Sequence, residues 1–344
     1  MEIKEEAYTP ISVIITAHDN ARELENNLPS FLAQDYPSEF QVVVVAEKGD
    51  HDTEAVLEKY SGNEHLYYTL IPNSSRYMSR KKLQITLGVK AAKYEWVLLT
   101  EITCVPSSNQ WLKKMAGNCS DNTNLVMGYV ALDEETPASR RFEHIYHATP
   151  LFHRASKKTA WRTNCQNLMF RKSEFIQQDG FRGNLHLLRG EYDFIVNKYA
   201  KRHHTAVELS SEARLIEKCP TNKEWQDRHL YAIATRQALK RSFFPKCWYR
   251  LRLFLFPIIA LLFGGLLVHS YLMENPIIMG IAGAGIILSY IINVFILRHR
   301  IRRYDQRLHC ILMPLYELGI LWKNFFNLIK YKRAKKIDFT SHRL

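Results

Sequence analysis

The chain has 344 residues, 47% of them hydrophobic, and a formal net charge of +13, enough for one large domain with an anchor or for two domains. The positive excess suits nucleic acid or an anionic membrane face, but it gathers beside two apolar runs, at Lys246, Arg250 and Arg252, at Arg298, Arg300, Arg302 and Arg303, and at Lys330, Lys332, Arg333, Lys335 and Lys336, which argues for a membrane and against nucleic acid. Six scattered cysteines without a C-x-x-C pair fit a reducing compartment, and the polar start M-E-I-K-E-E predicts no cleavable signal peptide.

In chain order, Ile11–Ala17 (I-S-V-I-I-T-A) predicts a strand rich in β-branched residues. Asp19 or Asn20 can cap the helix that follows, with Leu24, Leu28, Phe31 and Leu32 at helical spacing. Val42–Ala46 predicts a second buried strand, Asp52-Thr53 the start of a helix running through Tyr60, and Leu66–Ile71 a third strand. Ser79–Ala92 reads as a helix with Leu83, Leu87 and Ala91 on one face, Val97–Thr100 as a fourth strand and Leu125–Val130 as a fifth. Continuous apolar strands alternating with helices predict an α/β fold with a mostly parallel sheet covered on both faces.

Beyond residue 240 the pattern changes. Leu253–Met273 and Ile277–Leu297 are each about the ~20 residues a membrane-spanning helix needs. Only Glu274-Asn275-Pro276 separates them, and basic residues flank their outer ends. The positive-inside rule then places the N-terminal domain and the tail together in the cytoplasm, as a multi-pass protein of the cytoplasmic membrane. Gly280, Gly283 and Gly285 suit close helix contact. Cys310–Ile329 is apolar but broken by Pro314, Glu317 and Lys323, and reads as a helix lying in the interface. The expected organisation is a domain over 1–240, a transmembrane hairpin over 241–300 (spans 253–273 and 277–297) and an interfacial helix with a basic tail over 301–344.

The chemistry-bearing residues fall at strand ends. Val97–Thr100 runs into Glu101 and then a Pro-containing turn at Pro106. Substrates of parallel sheets gather outside the carboxyl ends of the strands, where a carboxylate can hold a divalent cation on a substrate phosphate. The first strand ends in Thr16-Ala17-His18-Asp19 and the second in Glu47-Lys48-Gly49-Asp50-His51-Asp52. Side by side, these loops can read a nucleobase, although Asp19 and Asp52 equally suit helix caps. Lys81 and Lys82 sit at a helix start, which favours phosphate, and equally suit a solvated charge run.

Taken in order, I-S-V-I-I-T-A-H-D, A-Q-D-Y-P (33–37), V-V-V-V-A-E-K-G-D-H-D-T (42–53), Lys81 with Gly88, L-T-E-I-T-C-V-P and R-G-E-Y-D (189–193) resemble the inverting family 2 glycosyltransferases with a GT-A fold. The likeness is to bacterial membrane-anchored members with C-terminal helices. It implies a nucleotide-sugar donor, most often UDP-linked, met here by Thr16, His18, Glu47, Asp50, Lys81, Glu101 and Arg228. The resemblance places the metal motif at Glu101-Ile102-Thr103, with Thr in place of the second acid, and so implies Mg²⁺ or Mn²⁺ held by Glu101 and Thr103. It places the base in Gly190-Glu191-Tyr192-Asp193, at Glu191 ahead of Asp193, although both acids also suit the first turn of a helix over Glu191–Ala200. Asn164, Asn167 and Arg171 resemble the acceptor-side segment. Trp225–His229 loosely resembles a Gln-x-x-Arg-Trp motif with Gln226 and Arg228 one residue too close, which favours non-processive transfer, and equally reads as an amphipathic helix on the membrane. The implied acceptor is lipid-linked or a growing polysaccharide precursor. With Thr103 and Tyr192 standing where acids are expected, a catalytically silent relative that binds nucleotide-sugar or scaffolds partners at the membrane is the alternative.

Overall fold

The computed structural model describes residues 8–72, 79–240, 243–304 and 307–340, without the side chains of 243–246, 248–250 and 252. The M-E-I-K-E-E start and the side chains of Lys246, Arg250 and Arg252 therefore lie outside the described residues. The elements, in order, are β1 (Ile11–Thr16), α1 (Ala21–Leu32), β2 (Phe40–Glu47), α2 (His51–Lys59), β3 (Leu66–Ile71), α3 (Arg80–Ala91), β4 (Trp96–Glu101), β5 (Cys104–Pro106), α4 (Trp111–Ala116), β6 (Leu125–Gly128), β7 (Val130–Leu132) and α5 (Ala138–Lys157). They continue as β8 (Leu168–Arg171), α6 (Lys172–Gln177), α7 (Glu191–Tyr199), β9 (Thr205–Glu208), β10 (Leu215–Glu217), α8 (Asn222–Ala238), α9 (Phe243–Leu272), α10 (Pro276–Ile301) and α11 (Met313–Arg333).

The main sheet has the order β3-β2-β1-β4-β8-β6-β9, with β8 antiparallel to both neighbours and the other pairings parallel. The α/β architecture is thus the expected one. β1 is buried along its whole length, because a sheet covered on both faces has no polar side to alternate with. Gly88 lets α3 lie against β1, since a Cβ there would come within 2.6 Å of Ile14. The expected fifth strand, 125–130, is in fact two. β6 joins the main sheet, and β7 leaves it for a small second sheet of order β5-β10-β7. That sheet sits directly after Glu101, so the chain crosses from one sheet to the other at Ile102-Thr103.

α9 and α10 are both long and apolar enough to cross a membrane and pack as a hairpin, with most of their apolar surface exposed. Of the three expected contact glycines, Gly285 alone meets its partner: a Cβ there would lie 2.3 Å from the Phe263 ring, while Gly280 and Gly283 face open space. The three breaks foreseen in the last apolar stretch each have a place. Pro314 lies in the first turn of α11, where a missing N–H costs nothing. Glu317 is buried, accepting from Tyr146 of α5 (2.7 Å) and from Asn293 of α10 (2.8 Å). Lys323 donates to the buried Glu143 of α5 at 2.9 Å. Burial opposes a charge on Glu143, but the adjacent His147 and His229 rings, 3.9 and 3.2 Å away, hold its carboxyl well below the usual range. The opposite face of α11 exposes Leu315, Trp322, Phe325 and Phe326. After α11 the chain turns back. Phe339 is buried against Tyr231 and Tyr331, its carbonyl accepts the N–H of Leu188 at 3.0 Å, and Thr340 pairs with Leu187.

Candidate active site

The parallel register brings the carboxyl ends of β1, β2 and β4 together. Thr16 lies opposite Val45 on one side and Glu101 on the other. Glu47 ends β2 and is buried. One of its oxygens meets His18 Nδ1 at 3.1 Å, and the other accepts from Arg80 at 2.7 Å. His18 is half-exposed, and the following Asp19 has a left-handed φ of 51°, which turns the chain sharply off the strand. Asn20 is the N-cap residue of α1 without a side-chain cap. Asp50 caps α2, accepting from the Thr53 N–H (3.2 Å) and hydroxyl (2.6 Å), so the capping expected of Asp52 belongs to Asp50.

The two lysines at the start of α3 part company. Lys81 pairs with Glu101 and lies over the Tyr192 ring at 5.7 Å. Lys82 is wholly buried, donating to the carbonyls of Asn184 (2.6 Å) and Leu187, which corrects the expectation that both face phosphate. Ser79 caps this helix through the Lys82 N–H.

Glu101 and Thr103 flank the crossing between sheets, and the Ile102 carbonyl between them is pinned by Asn27 of α1 at 2.7 Å. Among the described residues no group of three or more His, Cys, Asp or Glu side chains could hold a metal ion. The Glu101–Thr103 turn itself carries one carboxylate, paired with Lys81, and one neutral hydroxyl. That donor set fits an ion shared with a substrate diphosphate, as Mg²⁺ is commonly held, rather than a closed protein cage.

Glu191 opens α7 after Gly190, whose φ of 98° and contact with Thr235, 2.4 Å from a Cβ, demand glycine. The Glu191 carboxyl is 3% exposed; Oε2 accepts from the Gly190 N–H at 3.1 Å, and Oε1 has no hydrogen-bond partner among the described residues. The buried Tyr192 hydroxyl is likewise unpartnered. Burial raises its pKa well above that of an ordinary tyrosine, and the negative charge of Glu101, with that of Glu191, adds to the rise. Asp193 differs: it accepts from the Thr163 N–H at 3.0 Å, and Arg162 lies 3.7 Å away. Burial raises its pKa, and Arg162 only partly offsets this. Its carboxyl therefore holds the neighbouring loop, whereas Glu191 presents a free oxygen.

The residues expected on the acceptor side make structural bonds of their own. Asn167 is 1% exposed and donates to Tyr129 and Ala213 carbonyls, tying the two sheets together. Asn164 donates to the His144 carbonyl at 3.2 Å. Arg171 pairs in register with Trp96 at the opposite end of β4, stacks on that ring and donates to the Thr123 and Ser120 carbonyls. Arg228 sits on α8, opened by a capping box of Thr221 and Glu224, and is gripped at both nitrogens by Glu217. Burial opposes the Arg228 charge, but Glu217 and Glu101 together raise its pKa, which places this guanidinium within electrostatic reach of the Glu101 corner. The next residue, His229, faces the other way, 3.2 Å from Glu143.

Glu217, Arg80 and Tyr192 were not foreseen as site residues. Glu217 did carry a signal, since L-I-E repeats the pattern of an apolar run ending in an acid that singled out Glu101.

Residues 2–327 match the family model described as glycosyl transferase family 21. No curated protein sequence matches. Among solved structures, the fold is shared with the mannosyltransferase PcManGT from Pyrobaculum calidifontis, solved in complex with GDP-Man and Mn²⁺: 15% identity over 94% of this chain and 88% of that chain, TM-score 0.54. TarS 1–349 from S. aureus, solved with UDP-GlcNAc, aligns at 16% identity over 94% of this chain and 90% of that chain, TM-score 0.48. The motifs had pointed to family 2; the family matched is family 21, and glycosyl transfer is what the two readings share.

Proposed function

The chain belongs to glycosyl transferase family 21, and from that premise we propose a membrane-anchored, inverting enzyme that moves a sugar from a nucleotide-sugar, UDP-linked, to a lipid-linked or polysaccharide-precursor acceptor. The observation that carries this reading is the grouping around Tyr192. Lys81 pairs with Glu101 and lies over the Tyr192 ring, the negative charges of Glu101 and Glu191 add to the rise in the tyrosine's pKa, and Glu191 Oε1 is buried with no hydrogen-bond partner among the described residues.

The reaction is a single displacement. The acceptor hydroxyl passes its proton to Glu191 as its oxygen attacks the anomeric carbon from the face opposite the nucleotide. The bond from that carbon to the diphosphate oxygen breaks, and the configuration inverts. Lys81 and Arg228 offer positive charge where the leaving diphosphate gathers negative charge, and the Arg228 fork suits oxyanions if it exchanges Glu217 for phosphate. Glu101 and Thr103 would hold Mg²⁺ or Mn²⁺ jointly with the diphosphate; such an ion supplies Lewis-acid neutralisation of the leaving group. Thr16, His18 and Glu47 line the base side.

Release of nucleoside diphosphate by the purified protein, assayed with UDP-GlcNAc, GDP-mannose and other donors against membrane lipid extract, tests the function. Lipid-dependent release with one donor supports it. A second reading, the silent relative, rests on Lys81 occupying Glu101 while Thr103 carries no charge. Binding of UDP without release from any donor would favour it.

For topology, we place the domain and the tail on the cytoplasmic side, with α9 and α10 spanning and the exposed face of α11 in the interface. Single cysteines introduced near residue 200 and after residue 335 should resist a membrane-impermeant thiol reagent in intact cells. Labelling of the tail from outside would overturn the hairpin.

A further inference from the structure

The first turn of α3 holds two adjacent lysines with different surroundings. Lys81 reaches the donor corner at Glu101. Lys82 is 0% exposed, and its ammonium donates to the main-chain carbonyls of Asn184, at 2.6 Å, and Leu187. Those carbonyls belong to the loop that leads into Gly190 and Glu191. The loop is otherwise held by the turn bonds from Asn184 N–H to Phe181 and from Leu187 N–H to Asn184, and by the returning tail, where Leu188 N–H bonds Phe339 and Leu187 pairs with Thr340.

A buried ammonium against neutral carbonyls is costly, and a hydrophobic side chain would fill the same space without the desolvation penalty. Burial pulls the Lys82 pKa down to about 8, and the charge of Glu191 works against that fall. Lys82 thus grips the loop and feels the carboxylate that the loop carries.

Resting on the reading of Glu191 as the base, we propose that Lys82 is a positioning residue: it fastens the Asn184–Leu187 carbonyls to α3, so that Glu191 is held at the same corner that Lys81 serves from the same helical turn. A base displaced by about 1 Å can cost on the order of 10²-fold in rate while the donor still binds.

The test uses the full-length protein in lipid nanodiscs. Lys82→Met keeps the length and volume but removes the donors. Hydrogen exchange of amides 184–192 should rise at least about tenfold while β1, β2 and β4 stay protected. Turnover should fall by roughly 10- to 100-fold, with UDP affinity within about twofold of wild type. Lys82→Arg, which keeps donors and charge, should recover part of the turnover and of the loop protection. Unchanged loop exchange in Lys82→Met overturns the proposal, and so does UDP affinity or sheet protection lost in parallel with turnover. Glu191→Gln separates the underlying reading. If it leaves turnover intact while Lys82→Met loosens the loop, Lys82 still fastens the loop, but the base lies elsewhere and the positioning of a base is refuted.

Discussion

Glu191→Gln should lower turnover by at least roughly a hundredfold, within the ~10²–10⁴-fold range for loss of a general base, while UDP binding stays nearly unchanged. Gln keeps the shape of Glu and can still accept the Gly190 N–H at the oxygen that now takes it. What it loses is the ability to take a proton at the other oxygen, the one with no partner among the described residues. Single-turnover rates and UDP titration calorimetry separate the two effects. Asp193→Asn is the contrast. Its carboxyl is bonded to the Thr163 N–H and lies beside Arg162, so its loss should weaken the protein's stability more than its chemistry. Turnover abolished in Asp193→Asn and retained in Glu191→Gln would reverse the assignment.

Glu101→Ala should lower turnover by roughly 10²–10³-fold, the scale on which removal of one well-placed electrostatic contact acts. It takes away the one carboxylate that the Glu101–Thr103 turn can offer a divalent ion, and it releases Lys81 from its ion pair. Thr103→Ala should cost far less, because it removes only a neutral oxygen. Wild-type turnover should disappear in EDTA and return with Mn²⁺ or Mg²⁺, whereas Glu101→Ala should not be rescued at the same metal concentration. Turnover unaffected by EDTA would leave Lys81 and Arg228 to carry the leaving group without an ion.

The parts of the fold that could be read from the sequence are those where one short stretch carries its own cause. β1, β2 and β4 are mostly apolar, buried runs because both faces of the sheet are covered, and their ends carry Thr16, Glu47 and Glu101 to one edge by register alone. The small sheet was not legible, because β5, β7 and β10 have three residues each, too few to show a period. Partnerships across the chain were equally hidden. Arg228 reads as a free phosphate-binding arginine until Glu217 is seen gripping it. Lys82 is indistinguishable in sequence from Lys81, yet about 100° of helical rotation sends one into the core and leaves the other at the surface of the site. Glu143, unremarkable on α5, gathers His147, His229 and Lys323 around one carboxylate. Pro314, Glu317 and Lys323 broke an apolar pattern, and each break marks a start or a contact rather than a loss of helix.

The return of the chain after α11 to Leu187 and Leu188 sets an order on synthesis. Domains fold from the N-terminus as they emerge, so the sheet, with Glu47 and Glu101 at its edge, can be complete before the hairpin is translated. The loop ahead of Glu191 cannot. Its Leu188 N–H waits for the carbonyl of Phe339, a residue translated after both α9 and α10. A nascent chain therefore holds its donor edge early and receives this backbone contact of its acidic loop only after both long apolar helices have been made.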